Sequence, residues 1–350
     1  MANKRIKATP RVAAALPHVA FGSSLFNSTG GRWATQQLKA AALTGKALTS
    51  AALRTADTLR HEEWKFFDDA VLEEAKIRLR GVADLMGAGL VKNVPNALGK
   101  TVFGYEKVTD MDPASTTLDG RSRTPNDRQE FELNQLPLPI THKDFFLNLR
   151  TLSASREKGE SLDTMQARTA GRVVSEQLEK MLFQGGPTFG GLSIPGYMTA
   201  PNKNTSGFGA GGDWGQAGKT GAEMLADLLT MLRAEQADRM YGPYWLYVPS
   251  DAGVNLENDF KANVSQTIRQ RLESVDGIAG VRVADQLPSS NLILVQATED
   301  VTCWVNGDNI QTVQWDEYGG FELNFKVWAI GVPLIRSDVA GRSGVYHMFD

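Results

Sequence analysis

Cysteine is nearly missing from this chain. Cys303 stands alone among 350 residues, which excludes an internal disulfide and a cluster of thiolate metal ligands. Its place between Val301 and Trp304, in a strand-like segment, favours a small buried hydrophobe over a reactive thiol. Histidine is scarce as well: His18, His61, His142 and His347 lie far apart, and no His-Glu-x-x-His pair occurs, so the usual zinc-site spacings are absent. No stretch approaches the roughly 20 apolar residues that cross a bilayer. Lys4, Arg5, Lys7 and Arg11 make a basic start, but Pro17 and His18 break the apolar run that a secretory signal would need. The expectation is a protein made and used without secretion and without a membrane, holding itself together by packing and by partners.

Acidic residues are missing from one end. No aspartate or glutamate occurs in residues 1–56, while Lys4, Arg5, Lys7, Arg11, Arg32, Lys39, Lys46 and Arg54 are basic; the remainder is net acidic, which hides the asymmetry in a formal charge of -3. Rich in Ala, Ser, Thr and Gly, this segment cannot build its own core even where alanines favour a helix over 35–52. It reads as an arm addressed to a polyanion or to an acidic neighbouring surface, held in place by neighbours.

What is there reads as ordinary folded protein, 42% hydrophobic and 22% charged, with enough material after residue 56 for more than one lobe. Asp57 or Thr58 offers a helix cap, and Trp64, Phe67, Val71, Ala75 and Leu79 recur at helical spacing. Residues 82–100, with Gly87, Gly89, Pro95 and Gly99, read as connecting chain. Residues 101–109 and 129–140 look extended around a polar stretch with Pro113, Gly120 and Pro125, and Phe131 and Leu133 fall on one face with Glu132 and Asn134 on the other. That describes a long two-stranded ribbon, marginal by itself and suited to lying over another surface. A helix is predicted over 161–183, with Leu162, Met165, Thr169, Val173 or Ala170, Gln177 and Met181 or Leu182 along its apolar side and Arg172, Glu176 and Lys180 as four-residue charge pairs outside. Thr220 and Glu223 form a capping box ahead of Met224, Leu225, Leu228 and Leu232. Tyr244–Val248 reads as a strand; Phe260, Val264, Ile268 and Leu272 read as one helix. Strands follow at 281–284, 292–297, 301–305 and 312–315, and the alternation of Phe321, Leu323, Phe325, Val327 and Ala329 makes the clearest strand of all. Late strands without intervening helices give an α+β class rather than βαβ units.

The enzyme-like fragments fail on chemistry. Asp213 to Thr220 resembles the tail of a P-loop, but an aspartate stands where the first glycine belongs and no strand leads into it. Ser155 with Lys158, and Lys219-Thr220-Gly221, match fragments of penicillin-recognising serine enzymes without the Ser-Asp-Asn between them. Asp68, Asp69, Glu73 and Glu74 share a helix with Lys76 and Arg78 and read as a charged face. No nucleophile, base and oxyanion donor can be named together, so the expectation is not an enzyme, with no metal and no cofactor.

The order of these elements resembles a known family. Glu63-Trp64 through Val71 to Gly81-Val82-Ala83-Asp84, the segment Leu136 to Arg150, Arg168 through Phe183-Gln184-Gly185, and Gly320 to Pro333 are together similar to the HK97-like capsid fold of tailed-phage major capsid proteins, with local similarity to encapsulin shell proteins. The resemblance implies a basic N-terminal arm over 1–56, an N-terminal helix and connector over 57–100, an E-loop over 101–140, a P-domain beginning at 141–190 with a long spine helix, an A-domain over 191–310 and return strands to the P-domain over 311–350. It implies a major capsid protein that assembles into an icosahedral shell around phage double-stranded DNA, with an encapsulin-like nanocompartment enclosing protein cargo as the alternative. Partners would be further copies in pentamers and hexamers, DNA held without sequence preference, and scaffold, portal and decoration proteins, in a virion capsid assembled in the host cytoplasm. Tailed-phage relatives often lose an N-terminal segment to a protease; retention of the arm here implies a separate scaffold, or an arm that itself guides assembly.

Expected intersubunit residues of the E-loop are Lys107, Asp112, Asp119, Arg121, Arg123 and Arg128, and of the spine helix Arg172, Glu176 and Lys180. Lys4, Arg5, Lys7, Arg11, Arg32, Lys39 and Lys46 are expected on the inner surface, against DNA phosphates or against acidic residues such as Glu73 and Glu74 of another subunit. Some capsids join an E-loop lysine to an asparagine; Lys107 lies in the right region without an identifiable partner, so non-covalent assembly is expected.

Overall fold

A computed structural model describes residues 69–75, 79–108, 131–151, 165–261, 264–318, 321–338 and 341–350, with scattered positions between 114 and 129 and at 154. Residues 69–75 are helical. In chain order there follow α1 (Gly81–Gly87), β1 (Val91–Asn93), a short 3-10 turn (Ala97–Gly99), β2 (Val102–Val108), β3 (Phe131–Pro137), β4 (Ile140–Asn148) and α2 (Met165–Gln184). Next come β5 (Gly186–Phe189), β6 (Leu192–Ile194), β7 (Asn204–Ser206), α3 (Gly221–Ala237), β8 (Tyr244–Val248), α4 (Ser250–Asn255), β9 (Asp259–Lys261), β10 (Val264–Thr267) and α5 (Ile268–Glu273). β11 (Ile278–Val283), β12 (Asn291–Gln296), β13 (Thr302–Glu317), β14 (Glu322–Ile335) and β15 (Val345–Phe349) complete the chain. The architecture is mixed α+β, as the run of late strands implied.

Two compact units divide it. One takes 1–70, 144–166 and 313–326, the other 71–143, 167–312 and 327–350. Strands β1, β13, β14 and β4 form a four-stranded sheet in that order. Within the smaller unit, Phe145 stacks on Phe325 with ring centres 5.0 Å apart, and Lys326 lies 3.6 Å from Asp144.

Two of the larger unit's apolar centres lie among the described residues. A five-stranded sheet of order β11-β8-β12-β15-β7 carries the first. Tyr244, Leu246 and Val248 of β8 point to one face, where Met224, Leu228, Met231 and Leu232 of α3, Ala252 of α4 and Ile268 and Leu272 of α5 cover them. Tyr247 points to the other, where Phe183 and Tyr197 meet it with ring centres 5.1 and 6.1 Å away. Covered on both faces, β8 is buried at all five positions, which is why it reads as a continuous apolar run. The second centre gathers Leu136, Leu138, Met181, Ile194, Cys303, Val305, Trp328, Ile330, Val332 and Leu334.

Local signals explain several boundaries. Thr220 accepts from Glu223 N while Glu223 Oε2 accepts from Thr220 N at 2.8 Å, the reciprocal cap read from the sequence. Gly185, at φ +89°, ends α2 in the left-handed region that glycine tolerates.

Other expectations need correction. Residues 82–100 are not plain connecting chain: they form most of α1, then β1, which pairs parallel to β13 with Val91 opposite Trp304. The predicted helix through Phe260 and Val264 is instead two short strands before α5. Thr267 and Gln270 form a second capping box there, and this cap, not the four-residue rhythm, sets where the helix starts. The segments at 301–305 and 312–315 are one strand, β13. The apolar side of α2 follows the expectation at Ala170, Met181 and Leu182 and departs from it elsewhere. Met165 is 70% exposed and Val173 36%, whereas Ala167, Ala170, Gly171, Val174, Leu178, Met181 and Leu182 are buried. Small residues decide this: a Cβ on Gly171 would sit 2.9 Å from Val71 O, so the face that allows backbones to approach is buried ahead of the bulkier stripe.

Candidate assembly surfaces

The ribbon of β2 and β3 is antiparallel, with Phe103 opposite Leu136, Tyr105 opposite Asn134, Lys107 opposite Glu132 and Glu106 opposite Leu133. Alternation along each strand gives two faces. Phe103 and Tyr105 turn inward against the second apolar centre, and burial raises the Tyr105 hydroxyl above its ordinary pKa, opposed by nearby Arg336. On the opposite face Val102 is 37%, Leu133 66% and Phe131 65% exposed. Sequence alternation separated these side chains correctly, but the apolar set faces outward. Large apolar side chains left bare on a strand face are what an interaction surface exposes. Among the described residues the ribbon pairs with no third strand, so its outer backbone edges are open too.

The residues expected to work between subunits fall into three groups. Lys107 is half-buried and donates to Ser337 Oγ of its own chain at 3.4 Å. Arg121 and Arg128 are exposed, whereas Asp112, Asp119 and Arg123 lie outside the described residues, as do Lys4, Arg5, Lys7, Arg11, Arg32, Lys39 and Lys46. On α2, Arg172 pairs with Glu176 at 3.0 Å, and Lys180 is exposed one turn further on. Glu73 lies 3.6 Å from Arg168. Phe131 and Leu133 were read as strand residues but not as surface residues; only the tertiary placement of the ribbon shows which face is bare.

The P-loop-like fragment around Lys219 has a structural role. Lys219 Nζ lies 2.8 Å from Asp227 Oδ2 and donates to the carbonyls of Ala210 at 2.8 Å and Gly212 at 2.7 Å, so its charge is spent inside the loop. His347 Nε2 lies 2.7 Å from Asn291 Oδ1, and burial, with a smaller contribution from Lys203, lowers its pKa to about 4. Cys303 is buried, its thiol donates to Glu299 O at 3.0 Å, and burial pushes its pKa up. Ser155 and Lys158 lie outside the described residues. Among the described residues no group of three His, Cys, Asp or Glu side chains is placed to hold a metal, and no helix is long and apolar enough to cross a membrane.

A family described as one of unknown function, DUF6260, matches residues 51–348. The chain belongs to this family. The DUF6260 chain is 27% identical over 191 residues to the type 1 encapsulin shell protein EncA of Myxococcus xanthus (strain DK1622), a match covering 53% of this chain and 59% of that protein. It therefore spans about three-fifths of the length of that curated relative. Among solved structures, the DUF6260 chain resembles the virus-like particle from Pyrococcus furiosus, at TM-score 0.59 and 15% identity over 82% of this chain and 98% of that one. It also resembles the capsid of Myoviridae phage XM1, at TM-score 0.57 and 11% identity over 75% and 90% of the two chains. These likenesses show the fold: the DUF6260 architecture is the one found in capsid and virus-like-particle shells.

Proposed function

We propose that this chain is the repeating subunit of a closed protein shell. The observation that carries the reading is the β2–β3 ribbon, which has one face on its own apolar centre and the other bare, with Phe131 and Leu133 about two-thirds exposed. A second copy of the chain is the natural cover. Specific interfaces bury at least about 1,000 Å2, and many modest contacts repeated by symmetry sum to a stable closed lattice. In this reading the ribbon and its tip, 101–140, are the E-loop, α2 is the spine helix, β7, β8, β11 and β12 with α3–α5 form most of an A-domain over 191–310, with β15 joining their sheet from the segment 311–350, and β13 and β14 run through a P-domain. Pentamers and hexamers of an icosahedral shell are the expected assemblies.

For the contents, the sequence match to an encapsulin shell protein favours protein cargo in a nanocompartment over phage DNA. The basic residues of segment 1–56 favour the second reading, in which Lys4, Arg5, Lys7, Arg11, Arg32, Lys39 and Lys46 neutralise DNA phosphate with strong salt dependence, in a virion assembled in host cytoplasm with scaffold, portal and decoration proteins. Purified particles, treated with nuclease and then opened, separate the two: a co-purifying protein without protected nucleic acid supports the compartment, protected double-stranded DNA supports the virion. Electron microscopy that finds only small oligomers rejects both.

A further inference from the structure

Helices α2 and α1 are joined through one buried side chain. Glu179 Oε1 accepts from Gly81 N at 2.6 Å and Oε2 from Val82 N at 3.2 Å, so a carboxyl of one helix caps the first turn of the other. The fit is tight: a Cβ on Gly81 would sit 2.8 Å from Leu182 Cδ2 and 3.1 Å from Glu179 Oε1. The start of α1 also touches the five-stranded sheet, where Asp84 pairs with Arg282 and receives the Tyr247 hydroxyl at 3.4 Å.

Charge around this joint is unbalanced. Arg80, Glu176, Glu179, Asp285 and Gln286 line a cavity of about 20 Å3, room for about one water. Glu176 is paired with Arg172 at 3.0 Å and the sheet's Arg282 with Asp84, which leaves two carboxyls, Glu179 and Asp285, beside the single guanidinium of Arg80. Tyr197 and Tyr247, buried on the far side, add no positive charge; burial raises the pKa of both, and Glu179 raises it further. Arg80 and Asp285 are exposed, so protons can exchange with solvent.

We propose that Glu179 is a proton-operated clamp on the α1–α2 joint: ionised, it holds both the Gly81 and Val82 amides; protonated, it gives up one of them. Burial lifts its pKa to about 7 despite the lowering effect of the Gly81, Val82 and Arg80 amides, and Asp285 adds to the rise. The switch therefore falls in the neutral range. The local and global effects have opposite signs. Ionisation strengthens the two bonds to α1, because a carboxylate is the better acceptor. Since the folded pKa lies above the ordinary 4.5, the whole fold binds the proton more tightly than the unfolded chain does, and stability declines as pH rises from about 4.5 to about 7. The clamp lies within one subunit and stands whether or not the chain builds a shell.

Hydrogen exchange of the full chain, followed on peptides spanning 79–88 from pH 6 to 8.5 and corrected for intrinsic rate, tests it. Protection of the α1 start is expected to rise about tenfold with a midpoint near pH 7, the effect of one charge-assisted hydrogen bond. Glu179→Gln should flatten the profile, whereas Glu176→Gln, which alters the cavity without touching α1, should keep the rise. A flat wild-type profile, the same midpoint in Glu179→Gln, or loss of the midpoint in Glu176→Gln would overturn the proposal. If Glu179→Gln does not fold, the wild-type and Glu176→Gln profiles decide.

Discussion

The Lys219 ammonium and the Asp227 carboxylate meet 2.8 Å apart with their side chains 0% and 5% exposed. The pair organises a glycine-rich loop, since Lys219 also bonds the carbonyls of Ala210 and Gly212, and Asp227 receives Trp214 Nε1 at 2.9 Å and Gly209 N at 3.1 Å. All three ammonium protons are thereby used. Asp227→Ala leaves a buried, uncompensated cation and should cost about 3–5 kcal/mol in urea unfolding. Lys219→Met on that background should recover part of the loss; a deficit under about 1 kcal/mol in the single variant would contradict the assignment.

The packing of α2 on residues 69–75 sets two effects against each other at Gly171. Alanine favours a helix over glycine by about 1 kcal/mol, but its Cβ would lie 2.9 Å from Val71 O and 3.1 Å from Val71 Cγ1. The first neighbour is backbone and cannot rotate away, and overpacking costs about 1–3 kcal/mol. Gly171→Ala should lower the melting temperature; an increase would show that the two helices separate freely.

Glu235 on α3 is 0% exposed. Burial raises its pKa to about 8, with Asp238 adding to the rise and Asn204 opposing it. A carboxyl with a raised folded pKa contributes stability that is complete below about 4.5 and lost as pH climbs through about 8. Glu235→Gln should match the wild type near pH 4 and exceed it by a few kcal/mol near pH 9, in chemical denaturation at each pH. Parallel pH profiles would refute the buried, neutral state.

The bare face of the ribbon gives a prediction about assembly alone. Phe131→Ser with Leu133→Ser removes exposed apolar area without opening a cavity, so circular dichroism and melting of the isolated subunit should change little. Sedimentation should show particles replaced by small oligomers. Normal particle yield would mean that this face is not an interface.

How far the sequence could be read follows from which residues carry local information. Thr220 with Glu223 fixed a helix start because a cap is a matter of four neighbouring residues, and Phe321 to Ala329 announced β14 by strict alternation. On α2 the expected stripe holds at Ala170, Met181 and Leu182 but not at Met165 and Val173, because burial there also follows the small residues Ala167 and Gly171, which periodicity of large side chains does not weight. Residues 259–267 imitate a helical rhythm with Phe260, Val264 and Ile268, yet pair as strands, and Thr267–Gln270 was the available signal for the true start of α5. β1, β7 and β15 depend on partners as distant as β13 for β1, and no local pattern announces such pairings. For the candidate surface, alternation divided Phe131 and Leu133 from Glu132 and Asn134, but the choice of outward face is tertiary.

Electron cryo-microscopy of the purified chain tests the central claim most directly. The account predicts closed particles in which density of a neighbouring copy lies in contact with Phe131 and Leu133. A particle-free monomer or dimer, or a closed particle with that face open to solvent, would contradict it.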